Sequence, residues 1–271
     1  MNILFLGGDK RYLPIILELS PKNNIDLVGY NTVDIIGNKI NNNSIEFSKY
    51  DIIILPMNGI KENMKINSLD GEIEIVNNEL KKISSKCMIF TGLITNPILA
   101  INSKNIISFL DDKVIKDFIN DITVEGIIEK IKDKSNKKIC ILGYGNIGHR
   151  LYKKLNQEEI DIVVGEIDEN KLKSGLKIFN TKDISEFIKQ TMDSDIIINT
   201  VPSNILSENI VKNISEKTYI LDVASYPHGI DKCLLDKYTL NYDLYLGIPG
   251  KYKPEETADI LIKKIKDMIG E

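Results

Sequence analysis

The fold is decided by the stretch KKICILGYGNIGHRLYKKL, residues 137–155. Its apolar start predicts a buried strand, and its amphipathic end predicts a helix. Between them, Gly143 permits a tight turn, Gly145 lets the backbone approach a phosphate, and Gly148 lets the helix pack close to the strand. The helix N-terminus then offers free N–H groups to a pyrophosphate, so this strand–turn–helix predicts a dinucleotide site. The residues expected to contact the phosphates are Gly143, Gly145, Asn146, Ile147 and Gly148.

Short apolar runs alternate with helical stretches on both sides of this loop. Continuous apolar strands separated by helices indicate a parallel sheet covered on both faces. The sequence therefore predicts an α/β protein with two doubly wound, Rossmann-like parallel-sheet domains and a cleft between them. The predicted strands are residues 2–6, 25–30, 51–55, 87–91 and 106–109 in the first half, and 138–142, 160–164, 176–179, 195–199, 219–223 and 244–247 in the second.

Domain limits follow from a long helical pattern that ends in the polar run 132–138. We expect a flavodoxin-like substrate domain in residues 1–111, completed by a C-terminal helix at 254–271. Residues 112–134 are predicted to link it to a dinucleotide-binding domain at 135–253. Residues 33–46 and 57–74 are polar and irregular, which favours loops or short hairpins.

Composition excludes several classes of protein. The 271 residues carry a net charge of −4, without the basic excess expected of a protein that binds nucleic acid or an anionic membrane. No apolar run reaches the roughly 18 residues of a membrane span, and the N-terminus lacks a basic signal region. The widely spaced Cys87, Cys140 and Cys233 stand in apolar segments, so we expect buried thiols in a reducing cytoplasm and no metal site.

Glu166 ends the second strand after the glycine loop, near the position of the acid that accepts bonds from the adenosine ribose. A carboxylate there repels a 2′-phosphate, which predicts NAD in preference to NADP. The alternative is a solvated loop acid, with Asp168 as a helix cap.

The first domain opens with a second strand-to-helix turn, Gly7-Gly8-Asp9-Lys10-Arg11, which lacks the third glycine. Asp9 and Arg11 follow the strand at the sheet edge where such folds bind ligands. Arg11 is one of only two arginines, and guanidinium groups bind carboxylates bidentately. The alternative is that Asp9 only caps the helix and Arg11 is exposed.

Three later loops follow strands of the second domain, where their residues are expected to line the site. Simple turn chemistry is the alternative explanation for their prolines and glycines. The residues predicted to line the cofactor path are Thr200, Val201, Pro202, Asp222 and Ala224; those predicted to meet the substrate are Ser203, Ser225, Gly250 and Lys251.

Taken in order, several segments resemble the first subunit of the two-subunit enzyme dipicolinate synthase over nearly the whole chain. The segments that carry the resemblance, besides the glycine loop, are LGGDKR (6–11), IILP (53–56), CMIFTG (87–92), TVEG (123–126), INTVPS (198–203), LDVASYPHG (221–229) and GIPGK (247–251). The chain departs from the family pattern at Ile122, where a proline is usual, and at His228, where a glycine is usual.

The resemblance implies NAD(P)-dependent oxidation of dihydrodipicolinate, or its hydrated precursor, in the mother cell of a spore-forming bacterium. It also implies a flavoprotein-like partner, the second subunit of dipicolinate synthase. A small dicarboxylate substrate would meet Arg11, with Thr91 and Gly92 also at the substrate site. Loss of a hydride and a proton needs a modest base, for which His228 and Glu125 are the candidates.

Two other functions stay open on the sequence alone. A 2-hydroxyacid dehydrogenase needs an arginine after the fifth strand and a late histidine, but that loop carries Ala224-Ser225, and His228 comes too early. A non-catalytic dinucleotide sensor would keep the glycine loop unchanged.

Overall fold

The computed structural model describes residues 1–134, 137–158, 160–172, 176–225 and 229–271. The chain divides into two compact units. Unit 1 comprises residues 1–119 together with 249–271, and unit 2 comprises residues 120–248. The predicted linking helix is therefore shared, because residues up to 119 belong to unit 1 and those from 120 onward belong to unit 2.

Unit 1 is built on a parallel sheet whose strand order is β3-β2-β1-β4-β7-β8. Its strands are β1 (Asn2–Leu6), β2 (Asn24–Val28), β3 (Asn38–Lys39), β4 (Ile52–Ile54), β5 (Lys65–Ser68), β6 (Gly71–Glu74), β7 (Met88–Thr91) and β8 (Asn105–Ser108). Its helices are α1 (Tyr12–Leu19), α2 (Asn77–Leu80), α3 (Asn96–Leu99) and the start of α4 (Lys113–Ile131). The five longer strands follow the flavodoxin-like order, and the two-residue β3 extends one edge.

Both faces of this sheet are covered. Ile3 and Phe5 of β1 pack into one apolar cluster, and Leu4 and Leu6 pack into a second, as the alternation of a strand requires. β5 and β6 lie outside the main sheet and form an antiparallel hairpin within the segment where loops or hairpins were expected.

Unit 2 repeats the architecture with a parallel sheet in the order β11-β10-β9-β12-β13-β14. Its strands are β9 (Ile139–Leu142), β10 (Ile162–Glu166), β11 (Ile178–Asn180), β12 (Ile196–Asn199), β13 (Tyr219–Asp222) and β14 (Asn241–Leu244). Its helices are α5 (Asn146–Leu155), α6 (Glu169–Leu172), α7 (Ile184–Met192), α8 (Glu208–Val211) and α9 (Lys232–Lys237). The short α10 (Ile248–Tyr252) begins at the last residue of unit 2 and continues into unit 1. This is the strand order of a dinucleotide-binding sheet. The direction of the strand order reverses between β9 and β12, and ligands bind beside that point in such sheets.

The last helix, α11 (Pro254–Ile269), belongs to unit 1. Its buried Ala258, Leu261 and Ile265 join the same apolar cluster as Ile15 and Ile16 of α1. The C-terminal helix therefore completes the layer of helices that packs with α1 on one face of the unit 1 sheet. The predicted α/β class with two parallel-sheet domains is confirmed by these two sheets.

Two predictions differ from the structure. The last strand runs from Asn241 to Leu244, not over 244–247, because the polar β14 is an edge strand and its half-exposed sequence lacks the apolar run used to find it. Cys233 is exposed on α9, whereas Cys87 and Cys140 are buried as expected. Burial raises the pKa of the Cys87 and Cys140 thiols to about 12, so neither is a thiolate near neutral pH.

Candidate functional site

The glycine loop of unit 2 is held closed on one side and open on the other. Gly143 has φ +93°, and a Cβ there would lie 2.7 Å from both Thr200 Oγ1 and Val201 Cγ2. A Cβ at Gly148 would lie 2.0 Å from the carbonyl oxygen of Gly143, so the helix start packs directly on the turn. At Gly145, by contrast, a Cβ would meet nothing within 4 Å. The loop therefore leaves space on its outer side for a bound group.

Helix α5 begins at the open side of this loop. Its N-cap is Gly145, which supplies no side-chain hydrogen bond to the first turn. The first backbone N–H groups of a helix have no partner inside the helix, and they carry the positive end of its dipole. Open space and uncapped N–H groups together fit the pyrophosphate of a dinucleotide.

The loop after β12 lies against the base of the glycine loop. The backbone N–H and the hydroxyl of Thr200 both donate to the carbonyl of Leu142, each at 2.9 Å. Thr200 is therefore engaged in holding the two loops together. Pro202 and Ser203, one step further out, are exposed.

Glu166 lies at the end of β10 and is only 8% exposed. Its Oε2 accepts from the N–H of Tyr144 in the glycine loop at 2.9 Å and from Lys171 Nζ at 3.2 Å. Its Oε1 accepts from the N–H groups of Ile167 at 2.8 Å and Asp168 at 3.2 Å. Burial raises the pKa of Glu166, but these four hydrogen bonds outweigh it and hold the pKa below its ordinary value. Glu166 is thus an ionised brace between the glycine loop and the turn after β10.

A cavity of about 450 Å³ adjoins the same loop. It is bounded by Tyr144 and Gly145, and by three cationic side chains, Arg150, Lys153 and Lys171. The lysines were not predicted as site residues, because a lysine-rich composition hides functional lysines. The position of Lys171, five residues after Glu166, was the only available signal.

The loop after β13 is organised by a buried carboxylate. Asp222 is fully buried and accepts from Asn199 Nδ2 at 2.9 Å, from the N–H of Ala224 at 3.0 Å and from that of Gly229 at 2.9 Å. The carboxylate of Asp222 is enclosed by protein donors, and a place for this residue on the cofactor path stays a prediction. Ala224 is also buried, whereas Ser225 is exposed. His228, a predicted base, lies outside the described residues.

The other predicted base, Glu125, lies on α4 and pairs with Lys154 of α5 at 3.1 Å. The neighbouring pair, Asp121 with Arg150 at 2.8 Å, joins the same two helices. This pairing gives Glu125 a structural role within unit 2, and a catalytic role for it stays a prediction.

The glycine turn of unit 1 is filled by protein. The N–H of Gly8 donates to the carbonyl of Asn67 in β5 at 2.9 Å. Gly7 has φ +73°, and a Cβ there would lie 2.5 Å from that same carbonyl oxygen and 2.7 Å from Ile66 Cγ2. The β5–β6 hairpin thus fills the space beside this turn, whereas the corresponding loop in unit 2 is open at Gly145.

Next to this turn, Arg11 is 6% exposed and is held by Asp9. Arg11 Nε donates to Asp9 Oδ1 at 2.9 Å, and Nη2 donates to Asp9 Oδ2 at 2.5 Å. Burial lowers the pKa of Arg11, but the hydrogen bond and the charge of Asp9 outweigh it, and the pKa is raised. Asp9 engages one edge of the guanidinium, and within the described residues no hydrogen bond reaches the remaining nitrogen, Nη1. The sequence-based alternative of an exposed arginine is therefore wrong.

Gly250, a predicted substrate residue, is buried beside this pair. A Cβ on it would lie 2.9 Å from both Arg11 Nε and Asp9 Oδ2. Thr91 and Gly92, two further predicted substrate residues, are engaged with protein. Thr91 is fully buried and donates to the carbonyl of Leu93 at 2.9 Å, and a Cβ on Gly92 would lie 2.0 Å from the carbonyl oxygen of Met57. They shape the turn after β7. Lys251 is exposed.

Within the described ranges, no group of three or more His, Cys, Asp or Glu side chains is arranged to hold a metal ion. No helix in those ranges is both long and apolar enough to cross a membrane.

Comparison with known proteins first defines the class. Residues 134–233 match the sequence model of the acetohydroxy acid isomeroreductase NADPH-binding domain. The whole fold is shared with a 2-hydroxyacid dehydrogenase from Ketogulonicigenium vulgare, at a TM-score of 0.59 and 10% identity, covering 99% of this chain and 95% of that one. The fold is that of a dehydrogenase, and unit 2 carries an open glycine loop within the segment that matches an NADPH-binding domain model.

More similar relatives define the family. Residues 2–111 match the model of the N-terminal domain of the first dipicolinate synthase subunit, DpaA. The corresponding subunit of Bacillus subtilis dipicolinate synthase is 30% identical, with 100% of this chain and 96% of the relative covered. The solved structure of its Bacillus halodurans counterpart overlaps with a TM-score of 0.85 at 23% identity, covering 100% of this chain and 98% of that one. The chain belongs to the DpaA family, the first subunits of dipicolinate synthase.

Proposed function

We propose that this chain oxidises dihydrodipicolinate to dipicolinate with NAD(P)⁺, in the mother-cell cytoplasm of a spore-forming bacterium. The observation that carries the proposal is the open, uncapped glycine loop at Gly145, in a chain related over its full length to a dipicolinate synthase subunit. A dehydrogenase-like fold alone would not select this substrate, because one fold supports many reactions.

The reaction removes one hydride and one proton from the substrate ring. A bound NAD(P)⁺ would supply the hydride acceptor, a side chain of this chain would accept the proton, and the gain of aromaticity would drive the step. In unit 2, the N–H groups at the start of α5 hold the pyrophosphate, while Thr200 and Val201 support the loop from below. The exposed Ser203 and Ser225 are proposed substrate donors. His228 and Glu125 stay the proposed bases.

In unit 1, Arg11 is the proposed donor for a substrate carboxylate. Asp9 fixes the plane of the guanidinium from one edge and leaves Nη1 for the ligand. A planar guanidinium fixed in advance binds a carboxylate with little further loss of side-chain entropy. Its burial strengthens that charged hydrogen bond, since water competes less for both partners.

We further propose that the second, flavoprotein-like subunit of dipicolinate synthase works with this chain. The described residues offer one open glycine loop at which a hydride acceptor would bind, but no dedicated acid–base pair for dehydrating a hydroxylated precursor stands out among them. The isolated chain is therefore expected to bind the cofactor and to produce dipicolinate efficiently only with that partner.

The test supplies dihydrodipicolinate generated in situ to the full chain, alone and with the purified flavoprotein-like partner, in the presence of NAD⁺ or NADP⁺. Product absorbance and reduced-cofactor absorbance should rise together, and mainly in the mixture. Full turnover by the isolated chain would contradict the need for a partner. Absence of cofactor-dependent product in the mixture would overturn the proposed reaction and leave a dinucleotide-sensing role.

A further inference from the structure

The cavity beside the glycine loop has the charge of a phosphate site. Arg150, Lys153 and Lys171 contribute three positive charges to its lining. Arg150 pairs with Asp121, and Lys171 pairs with Glu166. Lys153 is exposed and makes no ion pair with any residue that the structure describes, so its charge is not neutralised by either acid. This charge stands next to the loop that is proposed to hold the pyrophosphate.

Glu166 does not offer the acceptors that an adenosine ribose with two free hydroxyls requires. A carboxylate has about four acceptor positions. Those of Glu166 receive the N–H groups of Tyr144, Ile167 and Asp168, together with Lys171 Nζ. A ribose diol would have to displace one of these bonds, three of which come from the backbone. The hydrogen-bonding reason for a preference for NAD is therefore missing, and the charge of Glu166 is offset by its ion pair with Lys171.

Lys171 is placed to receive an anion instead. Its ammonium lies 3.2 Å from Glu166 Oε2, and its side chain is 39% exposed. An ammonium carries three donors, so one bond to Glu166 leaves two for a ligand. The partner carboxylate also restrains the side chain at the edge of the cavity.

We propose that this cavity receives the 2′-phosphate of NADP(H), with Lys171 as the specificity-determining residue and Lys153 as a second donor. This reverses the preference for NAD that Glu166 predicts from the sequence. The inference rests on the proposed function, because it requires that unit 2 bind a nicotinamide dinucleotide.

The experiment measures dissociation constants of NADPH and NADH for the full chain by fluorescence, with adenosine 2′,5′-bisphosphate and 5′-AMP as competitors. NADPH should bind about tenfold more tightly than NADH, the usual effect of one charged hydrogen bond. Lys171→Gln should remove most of that difference while changing NADH affinity by less than about twofold. Raising the salt concentration should weaken NADPH more than NADH.

Lys177→Gln is the matched control. This substitution also removes an ion pair, between Lys177 and Asp161 at 2.7 Å, but Lys177 does not line this cavity. It should change neither affinity. Equal or tighter binding of NADH by the unmodified chain would overturn the proposal. Equal loss of both dinucleotides in Lys171→Gln would also overturn it, since Lys171 would then act only as a brace for Glu166. If neither dinucleotide binds the unmodified chain, the proposed function itself fails.

Discussion

The two units begin with the same local pattern, a buried strand followed by a glycine turn and a helix, yet the two turns have opposite surroundings. In unit 1, a Cβ at Gly7 would lie only 2.5 Å from the carbonyl oxygen of Asn67. In unit 2, a Cβ at the corresponding Gly143 would lie 2.7 Å from Thr200 Oγ1 and Val201 Cγ2, but one at Gly145, two residues further on, would meet nothing within 4 Å. One glycine turn packs protein against protein, and the other keeps space for a ligand.

The difference teaches that glycine spacing alone does not identify a nucleotide site. The β5–β6 hairpin supplies the acceptor for the Gly8 N–H, as Glu166 does for the N–H of Tyr144, and it also fills the space beside Gly7. What remains available in unit 1 is a side chain, Arg11, which is suited to a carboxylate. The two turns therefore differ in the space beside them: the hairpin fills it in unit 1, whereas the space at Gly145 stays open as a candidate anion site.

Gly7→Ala should cause the largest loss of stability. Alanine at φ +73° costs about 1–2 kcal/mol, and the contact with the Asn67 carbonyl adds about 1–3 kcal/mol of overpacking. The thermal midpoint of the full chain should fall by about 5–15 °C in calorimetry, at roughly 2–4 °C per kcal/mol.

The matched control is Gly71→Ala on the same hairpin. Gly71 has φ +110°, but a Cβ there would meet nothing within 4 Å. It isolates backbone strain from the clash and should cost clearly less than Gly7→Ala. Equal losses in the two variants would show that the packing of the hairpin on the turn contributes nothing.

Gly145→Ala should have the converse effect. Gly145 is the N-cap with φ −83°, which alanine adopts, and the added methyl group has no protein neighbour. The thermal midpoint should stay within about 2 °C, while dinucleotide affinity falls about a hundredfold, because a methyl group in the phosphate space costs up to about 3 kcal/mol. Isothermal titration measures the affinity. An unchanged dissociation constant would mean that the pyrophosphate does not lie on this loop.

The sequence sufficed for most of the fold, because the strands of both sheets are continuous apolar runs such as residues 139–142 and 196–199. It was insufficient for β14, whose edge position permits the polar sequence Asn-Tyr-Asp-Leu. The packing of Gly7 could not be predicted either, because the hairpin that fills its turn comes from residues 65–74, far along the chain. Local patterns predict elements, but what fills a turn depends on distant residues.

The site was predictable where backbone geometry defines it and less so where side chains do. The five loop residues at 143–148 follow from spacing. Asp222 and Thr91 stand after strands in the expected places, yet both are enclosed, because a polar group at a strand end serves as readily to brace the next loop as to meet a ligand. The saturation of Glu166 by four donors has no signature in a single sequence.

Arg11→Lys tests the carboxylate site proposed for unit 1. A lysine keeps the charge but loses the fork that Asp9 holds, so kcat/KM for dihydrodipicolinate should fall about 5- to 150-fold, which corresponds to a loss of about 1–3 kcal/mol. Dinucleotide affinity should not change. Lys10→Gln is the control, since Lys10 is exposed in the same turn and its loss leaves the Asp9–Arg11 pair intact. Equal effects of the two substitutions would reduce Arg11 to a general contribution of charge.

The smallest expected effect compares one amide in each turn. The N–H of Tyr144 donates to the carboxylate of Glu166, whereas the N–H of Gly8 donates to a neutral carbonyl. Because the pKa of Glu166 is lowered in the folded chain, its contribution is complete above the ordinary glutamate pKa of 4.5 and is lost as the pH falls through the lowered value. Protection of the Tyr144 amide against hydrogen exchange, corrected for the intrinsic rate, should therefore weaken in that acidic window by about three- to tenfold, the size of one hydrogen bond. Gly8 should stay equally protected, which excludes general acid unfolding.

In Glu166→Gln the Tyr144 amide should exchange faster at neutral pH and show no such step, since no carboxylate titrates beside it. A step of the same size in the Glu166→Gln variant would assign the acid sensitivity to another group and remove Glu166 as the brace of the glycine loop.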